Sequence, residues 1–384
     1  MRARRCRPMP ASRRRLTRRF TERRGLRRGG GPIKTATPVH GTGDSMKSLA
    51  LLAACAASFV CASAWAAAPD IGLSNGYFGT EWRNQMVDGA KEQFQTYKSK
   101  GLAGNLVIQQ SGTNTGQQIQ DMRNMIRQKT GAIMVDANSA TALNGVISEA
   151  QRSKIPVVSF DQAVSNKYAV NVTVDHYKWG QRYAEWIVQQ LNGKGNVVVL
   201  DGIPGHPAAE ARKKAALDTF AKYPGIKVVW SGYGEWDEAK AQAVMATVIA
   251  AQPKIDAVFT EDAMALGVLR AFENANRRVA VMTGEAQKGF LQEWKKQRDA
   301  GNPMKVFVQV NPPDISRTAL GIAVRLAQGH KLKPLPDNTY YFPITKTVTA
   351  DTLDATLASM NGKPDSYFLG QWLSEPELDA LFTP

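Results

Sequence analysis

Ile71-Gly72-Leu73-Ser74-Asn75-Gly76-Tyr77-Phe78 is the stretch from which the fold of this chain can be worked out. Its first four residues form a short apolar run, and polar and aromatic side chains follow at once. The next segment, residues 81–98, places Met86, Ala90 and Phe94 at four-residue steps, which is the spacing of one helix face. The stretch therefore predicts a buried strand that ends in a polar loop and continues into an amphipathic helix.

The same unit recurs along the chain. Further runs are short, rich in β-branched residues and apolar throughout, as strands buried on both faces of a sheet should be. Helical segments such as residues 117–128 separate them, and short connections of this kind indicate parallel strands with right-handed crossovers. The units are too numerous for one ordinary sheet and no Pro/Gly/Ser-rich linker divides the chain, so we expect an α/β protein of two doubly wound, Rossmann-like lobes joined by several crossovers. The further runs are Leu106-Val107-Ile108, Ala132-Ile133-Met134-Val135, Ile155-Pro156-Val157-Val158, Val197-Val198-Val199-Leu200, Val228-Val229-Trp230, Ala257-Val258-Phe259, Val279-Ala280-Val281-Met282 and Val306-Phe307-Val308.

Polar and aromatic side chains gather directly after these runs. In doubly wound sheets a ligand binds beyond the carboxyl ends of the strands, where such residues meet. Aromatic rings cover the C–H faces of a polyhydroxylated ligand, while carboxylates and amides hydrogen-bond with its hydroxyl groups. The same residue types are also ordinary helix caps and turn formers, so each of them taken alone has a structural explanation. The candidates are Asn75, Tyr77, Phe78, Asp136, Asp161, Gln162, His206, Glu261, Asp262, Glu285 and Gln309.

Residues 46–66 have the pattern of a secretory signal peptide. Met46-Lys47-Ser48 is followed by an apolar run that is too short to span a membrane, and Ala64-Trp65-Ala66 offers small residues at the two positions that a signal peptidase reads. We therefore expect an exported, periplasmic protein that begins at or near Ala67. Leu52-Ala53-Ala54-Cys55 also fits a lipoprotein processing box, which leaves lipid attachment at Cys55 as an alternative.

The basic charge of the chain is concentrated before this leader. The whole chain has 49 Lys and Arg against 33 Asp and Glu, a net charge of +16. Residues 1–45 hold fourteen of the basic residues and two acids, and Lys47 lies in the leader, so 34 basic and 31 acidic residues follow Ala66, a net charge of +3. Residues 1–45 mix Arg clusters with Gly and Pro and cannot bury a core, so we expect that translation begins at Met46 and that they are not part of the native protein. A nearly neutral exported domain lacks the excess of basic residues that binding to a nucleic-acid backbone requires.

The cysteines and histidines give little support for catalysis. Cys6, Cys55 and Cys61 all precede the expected cleavage point, so the exported protein would have no thiol for catalysis, disulfides or metal binding. Among the histidines, only His206 lies in a loop that we expect to face a cleft. The chain has no G-x-S-x-G elbow, P-loop or H-E-x-x-H motif, and we predict neither an enzyme nor a cofactor.

Three segments carry a resemblance to a known family. They are the opening stretch at residues 71–78, Lys154-Ile155-Pro156-Val157-Val158-Ser159-Phe160-Asp161, and Val258-Phe259-Thr260-Glu261-Asp262-Ala263-Met264-Ala265-Leu266-Gly267. In order and spacing they resemble the type I periplasmic sugar-binding proteins, the ribose-binding-like solute receptors of ABC transporters, and the resemblance covers residues 70–349. It implies two Rossmann-like lobes joined by three crossovers that close on one sugar. The first lobe would comprise residues 67–174 and 310–341, and the second residues 175–309 and 342–384.

The resemblance also implies roles for single residues. Asn75 would hydrogen-bond the ligand, and Tyr77 and Phe78 would stack on it from one lobe. Trp236 would stack on it from the opposite lobe. Asp161 would accept hydrogen bonds from its hydroxyl groups.

This chain departs from the family pattern at several of these positions. Gln162 stands where an arginine is expected, and Glu210 stands where a second arginine is expected, although Arg212 lies close by. Glu261 replaces an expected asparagine, and Glu285 lies near the position of an expected aspartate. The pocket has thus lost two cations and gained acid. Ribose is therefore a poor candidate, and a different monosaccharide, a linear polyol or an amine-bearing compound would each fit.

The resemblance also locates a hinge. The lobes would close about crossovers near Thr173-Val174-Asp175, Gln309-Val310 and Tyr341-Phe342, and the closed form would present a composite surface to an ABC permease. Gln309 would then lie within reach of the sugar ring. Trp82 and Arg83, at the beginning of the first helix, either shape the ligand site or only pack and solvate that helix.

Other functions are compatible with parts of the sequence. The carboxylates at Asp136, Asp161, Glu261 and Glu285 could supply a glycosidase-like pair, but acceptors for sugar hydroxyls explain them equally well. A repressor with this fold would need a helix-turn-helix before the first strand, where this chain has an export signal. A receptor for a chemotaxis or sensor-kinase partner is an alternative to transport. Our prediction is a monomeric receptor that captures a monosaccharide or polyol and delivers it to an ABC permease.

Overall fold

The computed structural model describes residues 67–302, 304–344 and 346–384. The predicted signal peptide at residues 46–66, the Arg-rich segment before it and the three cysteines lie outside the described residues. In the part of the chain that the structure describes, none of the helices is long and apolar enough to cross a bilayer.

The first lobe is built on a six-stranded sheet in which all strands run parallel. Its strands are β1 (Ile71–Asn75), β2 (Leu106–Gln110), β3 (Ala132–Asp136), β4 (Val157–Phe160), β5 (Ala169–Thr173) and β11 (Thr339–Tyr341). Their order across the sheet is β11-β5-β4-β3-β1-β2. Its helices are α1 (Glu81–Ser99), α2 (Thr115–Arg127), α3 (Asn144–Arg152), α9 (Ile315–Ala327) and the short α11 (Glu375–Asp379).

The second lobe repeats this plan. Its strands are β6 (Gly195–Asp201), β7 (Ile226–Tyr233), β8 (Ala257–Phe259), β9 (Val281–Glu285), β10 (Lys305–Gln309) and β12 (Thr347–Val348). They lie in the order β12-β10-β9-β8-β6-β7, and only β12 runs antiparallel to its neighbour. Its helices are α4 (His176–Gln190), α5 (Pro207–Phe220), α6 (Glu238–Ala251), α7 (Met264–Asn274), α8 (Lys288–Asp299) and α10 (Leu353–Ser359). The predicted α/β architecture of two doubly wound lobes is confirmed.

Local sequence explains where the elements that carry the site begin. Every residue of β1 is buried, and α1 starts after Thr80, whose hydroxyl accepts a hydrogen bond from the backbone N–H of Arg83 (3.3 Å). This cap fixes Arg83 in the first turn of α1, at the carboxyl end of β1. In the second lobe α5 begins with Pro207 in its first turn, where the missing N–H costs no helical hydrogen bond.

Part of the C-terminal segment packs on a different lobe from the one that the sequence suggested. Residues 342–384 were expected in the second lobe, and α10 does pack there against α8. Leu378 and Phe382, however, are buried in the core of the first lobe. The cause is a set of polar contacts from that lobe, in which the Arg325 guanidinium pairs with Glu375 (2.8 Å) and Asp379 (2.6 Å).

The chain therefore passes between the lobes once more after the three expected crossovers. The connecting segment is anchored by Phe368, whose backbone N–H and C=O both bond with the side chain of Gln85 on α1 (2.9 and 2.8 Å). The same residue forms an antiparallel bridge with Gln287, at the start of α8 in the second lobe. Its ring is almost fully buried, so this segment is a packed strap rather than a loose tail.

Candidate functional site

Residues from both lobes line one cavity at the carboxyl ends of the two sheets. About 270 Å³ of space between protein atoms lies within it, part of which is open to solvent. The first lobe contributes the start of α1 and the loop after β4, and the second contributes the start of α5 and the loops after β7 and β8. The lining residues are Thr80, Trp82, Arg83, Asp161, Gln162, Ala208, Arg212, Trp236, Asp262 and Asn311.

The first wall of this cavity contains a buried arginine held by two carboxylates. Arg83 on α1 forms ion pairs with Asp136, at the end of β3, and with Asp161, which follows β4 (3.2 Å to the second carboxylate). Burial lowers the pKa of Arg83 from its ordinary value. Burial alone would raise the pKa of Asp161, but Arg83 and the other cations nearby hold it below its ordinary value, so this carboxylate is ionised.

The second wall contains the same arrangement. Arg212 on α5 pairs with Glu261, beyond the end of β8 (2.5 Å), and with Glu285, at the end of β9 (3.4 Å). Its guanidinium also lies over the ring of Trp179, 4.1 Å from the centroid. Burial alone would lower the pKa of Arg212, but the two glutamates raise it above its ordinary value.

The second wall also holds further buried acid. Burial raises the pKa of Asp201 well above its ordinary value, and the neighbouring Glu261 raises it further. Burial likewise raises the pKa of Glu285 well above its ordinary value, even though Arg212 opposes this effect. The pKa of Asp262 is raised to about 7 by burial, with a further contribution from Glu261.

Two buried histidines complete the cleft, and both are neutral near pH 7. Burial and the nearby arginines lower the pKa of His176 to about 4 and that of His206 to about 3. His176 accepts a hydrogen bond from Arg212 Nε at Nδ1 (3.2 Å), so its proton resides on Nε2, which lies 3.1 Å from the backbone oxygen of Asp161. This residue thus links the two walls.

Aromatic rings from both lobes converge on His206. Its ring meets that of Trp236 edge-on at 5.3 Å between centroids and that of Tyr77 edge-on at 6.5 Å. The indole N–H of Trp236 donates to Glu261 (2.7 Å), which fixes the ring against the acid wall. Stacking surface and charge are therefore held together as one unit.

Three cavity-lining residues have positive backbone φ angles, which residues other than glycine rarely adopt. Asp161, Trp236 and Asp262 have φ angles of 57°, 55° and 53°. Conformations of this kind cost about 1–3 kcal/mol each and concentrate at ligand sites, where the surrounding structure holds them in place. Here they orient two carboxylates and an indole into the same cavity.

Several buried polar atoms of the cleft have no hydrogen-bond partner among residues 67–384 as described. Asn75 lacks partners for both side-chain atoms, and His206 lacks them for both ring nitrogens. One carboxylate oxygen of Asp161 and one terminal nitrogen of Arg212 are also without partners, and both residues line the cavity. Such atoms are costly to bury without a partner, and the hydroxyl groups of a ligand would satisfy them.

The structure brings most of the candidate residues together, with two exceptions. Phe78 is 48 % exposed and does not line the cavity. Glu210 is exposed, and its carboxylate accepts hydrogen bonds from the backbone N–H of Gly205 (2.8 Å) and from the hydroxyl of Tyr233 (3.0 Å). It therefore stabilises the turn before α5 rather than facing the cleft.

Other candidates act at the boundary between the lobes. Gln162 donates to Asp161 (2.7 Å) and accepts a hydrogen bond from the backbone N–H of Ala208 in the second lobe (3.0 Å). Trp82 is buried and donates from its indole to the backbone oxygen of Asn311, just after a crossover (2.9 Å). Gln309 donates to the backbone oxygen of Trp179 (2.9 Å) at the same crossover.

His176, Asp201 and Asn311 are site residues that the sequence candidates did not include. Asp201 had the clearest signal, because it directly follows an apolar run. His176 lies at the beginning of α4, and only the approach of Asp161 and Arg212 from separate elements buries it. Within the described residues, no cluster of three or more His, Cys, Asp or Glu side chains has the geometry of a metal site.

Comparison with known proteins gives one consistent result. The family model described as periplasmic binding protein domain matches residues 71–331. The D-allose-binding periplasmic protein of Escherichia coli is 33% identical over 184 residues, which are 47% of this chain and 58% of that relative. The ribose import binding protein of Salmonella typhimurium is 27% identical over 243 residues, 62% of this chain and 80% of the relative. Among solved structures, an ABC transporter solute binding protein from Thermobispora bispora is 26% identical with a TM-score of 0.73, and the match covers 81% of this chain and 94% of that one.

Proposed function

Because the chain belongs to the periplasmic binding protein family, we propose that it is an extracytoplasmic receptor that captures a monosaccharide or polyol between its lobes and delivers it to an ABC permease. The observation that carries the proposal is the cavity lined from both lobes, in which unpartnered buried polar atoms lie beside an aromatic ring. Binding receptors need this combination, since the ring covers C–H faces and the polar atoms select hydroxyl groups. Export through residues 46–66, a monomeric state and the absence of catalysis and of nucleic-acid binding belong to the same proposal.

The two walls would bind different parts of the ligand. Trp236 supplies the apolar face, and the free oxygen of Asp161 accepts a hydrogen bond from a hydroxyl group. The unpartnered nitrogen of Arg212 donates to a hydroxyl or ring oxygen of the ligand. These groups are already fixed by ion pairs and by strained backbone, so little side-chain entropy is lost when the ligand binds.

Closure of the lobes would complete the site. The hydrogen bond from Ala208 to Gln162 and the contact between His176 and the backbone oxygen of Asp161 both join the two lobes. Such contacts form only when the walls meet, and closure excludes water and strengthens every polar contact inside. A permease could then distinguish the loaded receptor by its composite surface.

A calorimetric screen of the purified protein against monosaccharides and polyols tests the proposal. Asp161→Ala should weaken binding of the tightest ligand by about ten- to a hundredfold, or 1–3 kcal/mol, because it leaves polar ligand groups unpaired in a closed cleft. Trp236→Ala should cost at least as much through lost stacking. Urea unfolding confirms that each variant folds.

Matched substitutions outside the cleft serve as controls. Asp218→Ala removes an exposed acid and Trp372→Ala an exposed tryptophan, and neither residue lines the cavity. Both should bind like the unmodified protein. Unchanged affinity in Asp161→Ala and Trp236→Ala would contradict the location of the site, and a screen without any binder would contradict the proposed function.

A further inference from the structure

The charges in the cleft are unequal. Two guanidinium groups, those of Arg83 and Arg212, face six buried carboxylates, and each guanidinium is already shared between two of these. Both histidines are neutral at pH 7 and add no positive charge. The carboxylates are those of Asp136, Asp161, Asp201, Glu261, Asp262 and Glu285, all less than one-tenth exposed.

Asp161 and Asp262 are the two carboxylates that line the cavity, and among the described residues Asp262 is the one of them without an ion pair. It lines the cavity, its backbone is held in the left-handed region, and it forms no ion pair among the described residues. Its carboxylate accepts one short hydrogen bond, from the backbone N–H of Ala263 (2.6 Å). Across the same cavity, Asp161 has a carboxylate oxygen without a partner. A buried carboxylate in this position requires either a proton or a cation.

A neutral sugar does not supply that charge. Its hydroxyl groups hydrogen-bond to carboxylates, but they bring no positive charge to an ionised Asp262. An ammonium group carries one positive charge and three donors, which suits two carboxylates that line the same small cavity. Without such a group Asp262 would keep a proton, as the raised pKa values of Asp201 and Glu285 indicate for those two acids.

We propose that the ligand bears a protonated amine in addition to hydroxyl groups, and that Asp262 and Asp161 bind the ammonium between the two walls. This inference rests on the proposed function, because it specifies the chemical class of the ligand in the same cleft. Trp236 and Arg212 then bind the C–H face and the hydroxyl groups of the ligand. The receptor is thus one for amino sugars or amino polyols.

Calorimetric titration of the purified protein with matched pairs tests the proposal. The probes are D-glucose with D-glucosamine, D-galactose with D-galactosamine, D-mannose with D-mannosamine, sorbitol with 1-amino-1-deoxysorbitol, and myo-inositol with an aminodeoxyinositol. In the pair that binds most tightly, the amine should bind at least about tenfold more tightly than its neutral partner, as expected for a charge-assisted contact in a dry site.

The variant Asp262→Asn identifies the carboxylate responsible. It should remove about tenfold or more of the affinity for the amine and weaken the neutral partner by a smaller factor, since Asn keeps the shape, loses the charge and replaces one acceptor oxygen by an N–H donor. Asp218→Asn, the same substitution at an exposed position of the second lobe, should leave both affinities unchanged. An Asp262→Asn variant with full preference for the amine would overturn the assignment to Asp262.

The outcomes also separate this inference from the proposed function. If neutral members bind as tightly as their amines or more tightly, the amine inference is wrong and the sugar receptor stands. If no member of either set binds, both are contradicted.

Discussion

The two walls of the cleft have the same plan and different charge. In each lobe the helix after the first strand carries a buried arginine, which is Arg83 on α1 and Arg212 on α5. Each arginine is held by acids at the ends of two neighbouring strands, Asp136 and Asp161 in the first lobe, Glu261 and Glu285 in the second. The walls are thus structural counterparts.

The register of the strands shows at which positions the two walls differ in charge. In the first lobe Asn75 pairs with Asp136. The corresponding ladder of the second lobe, extended two residues past its last pair, sets Asp201 beside Glu261. By the same count Asp262 occupies the position of Ala137 in the first lobe. The second wall has therefore gained two carboxylates at positions where the first is neutral, and any preference for a positive charge must originate there.

Removal of each arginine should produce the largest effect and should reveal this asymmetry. Arg212→Met leaves more uncompensated buried acid than Arg83→Met, so at pH 7 it should lower the free energy of unfolding by more, with about 3–5 kcal/mol expected for a broken buried pair. Urea unfolding of the two variants under the same conditions gives the comparison. A larger loss in Arg83→Met would contradict the charge difference between the walls.

An intermediate effect on stability is expected when Asp201 in the second wall is replaced by asparagine, the residue at the corresponding position 75 of the first wall. Asp201→Asn removes an acid whose pKa is well above its ordinary value, so at pH 8 it should stabilise the protein by about 1–3 kcal/mol. At pH 5 the difference should be smaller, and it should vanish only below the unfolded pKa of about 3.9, where the carboxyl group is protonated in both states. The reciprocal variant Asn75→Asp, measured in the same way, should destabilise the protein at pH 8. A stability gain of Asp201→Asn over the unmodified protein that is the same at pH 5 and pH 8 would show that Asp201 is not held protonated.

The smallest effect concerns the pH dependence of the free energy of unfolding. A carboxyl group whose pKa is raised by folding stabilises the native state below its unfolded pKa, and this stability is lost as pH rises through the folded pKa. For Asp262, with a folded pKa of about 7, the contribution to the free energy of unfolding should fall by about 1 kcal/mol between pH 6.5 and 8, and Asp201 and Glu285, whose pKa values are also raised, add to the fall. His176 and His206 have lowered pKa values and change stability only below about pH 6.5, so they do not interfere in this window.

Asp262→Asn is the variant that checks the assignment. The charged groups around Asp262 are Glu261, Arg212 and Arg83, with Asp161 in the lining of the same cavity, and all of them remain in this variant. Its stability should therefore vary less with pH between 6.5 and 8 than that of the unmodified protein. Parallel pH profiles would assign the titration to another group.

The apolar runs predicted the sheets because a strand that is buried on both faces appears in the sequence as a short run of apolar residues. The strand β5 was missed because Asn171 interrupts its apolar pattern, and the structure shows that this side chain is buried and accepts a hydrogen bond from the backbone N–H of Val164 (2.9 Å). The strap around Phe368 was missed for another reason. Its partners Gln85 and Gln287 are far away in sequence, and no local pattern records such a contact.

The position of the site could be predicted from the sequence. The ion pairs and hydrogen bonds between its residues could be predicted less well. Acids at strand ends were recognised because parallel strands end at one edge of a sheet. The sequence left Arg83 undecided between packing and binding, since its role depends on Asp136, 53 residues away. Likewise, nothing near Glu210 in the sequence indicates that its carboxylate turns back to Gly205.

The central claim is that the two walls close on one ligand. X-ray scattering of the purified protein, with and without a saturating concentration of the compound that binds most tightly in the titrations, tests it most directly. Closure about the crossovers at residues 173–175, 309–310 and 341–342 predicts a smaller radius of gyration with the ligand, and the strap at Phe368 must accommodate this motion. Identical scattering curves under saturation would contradict a receptor that closes on its ligand.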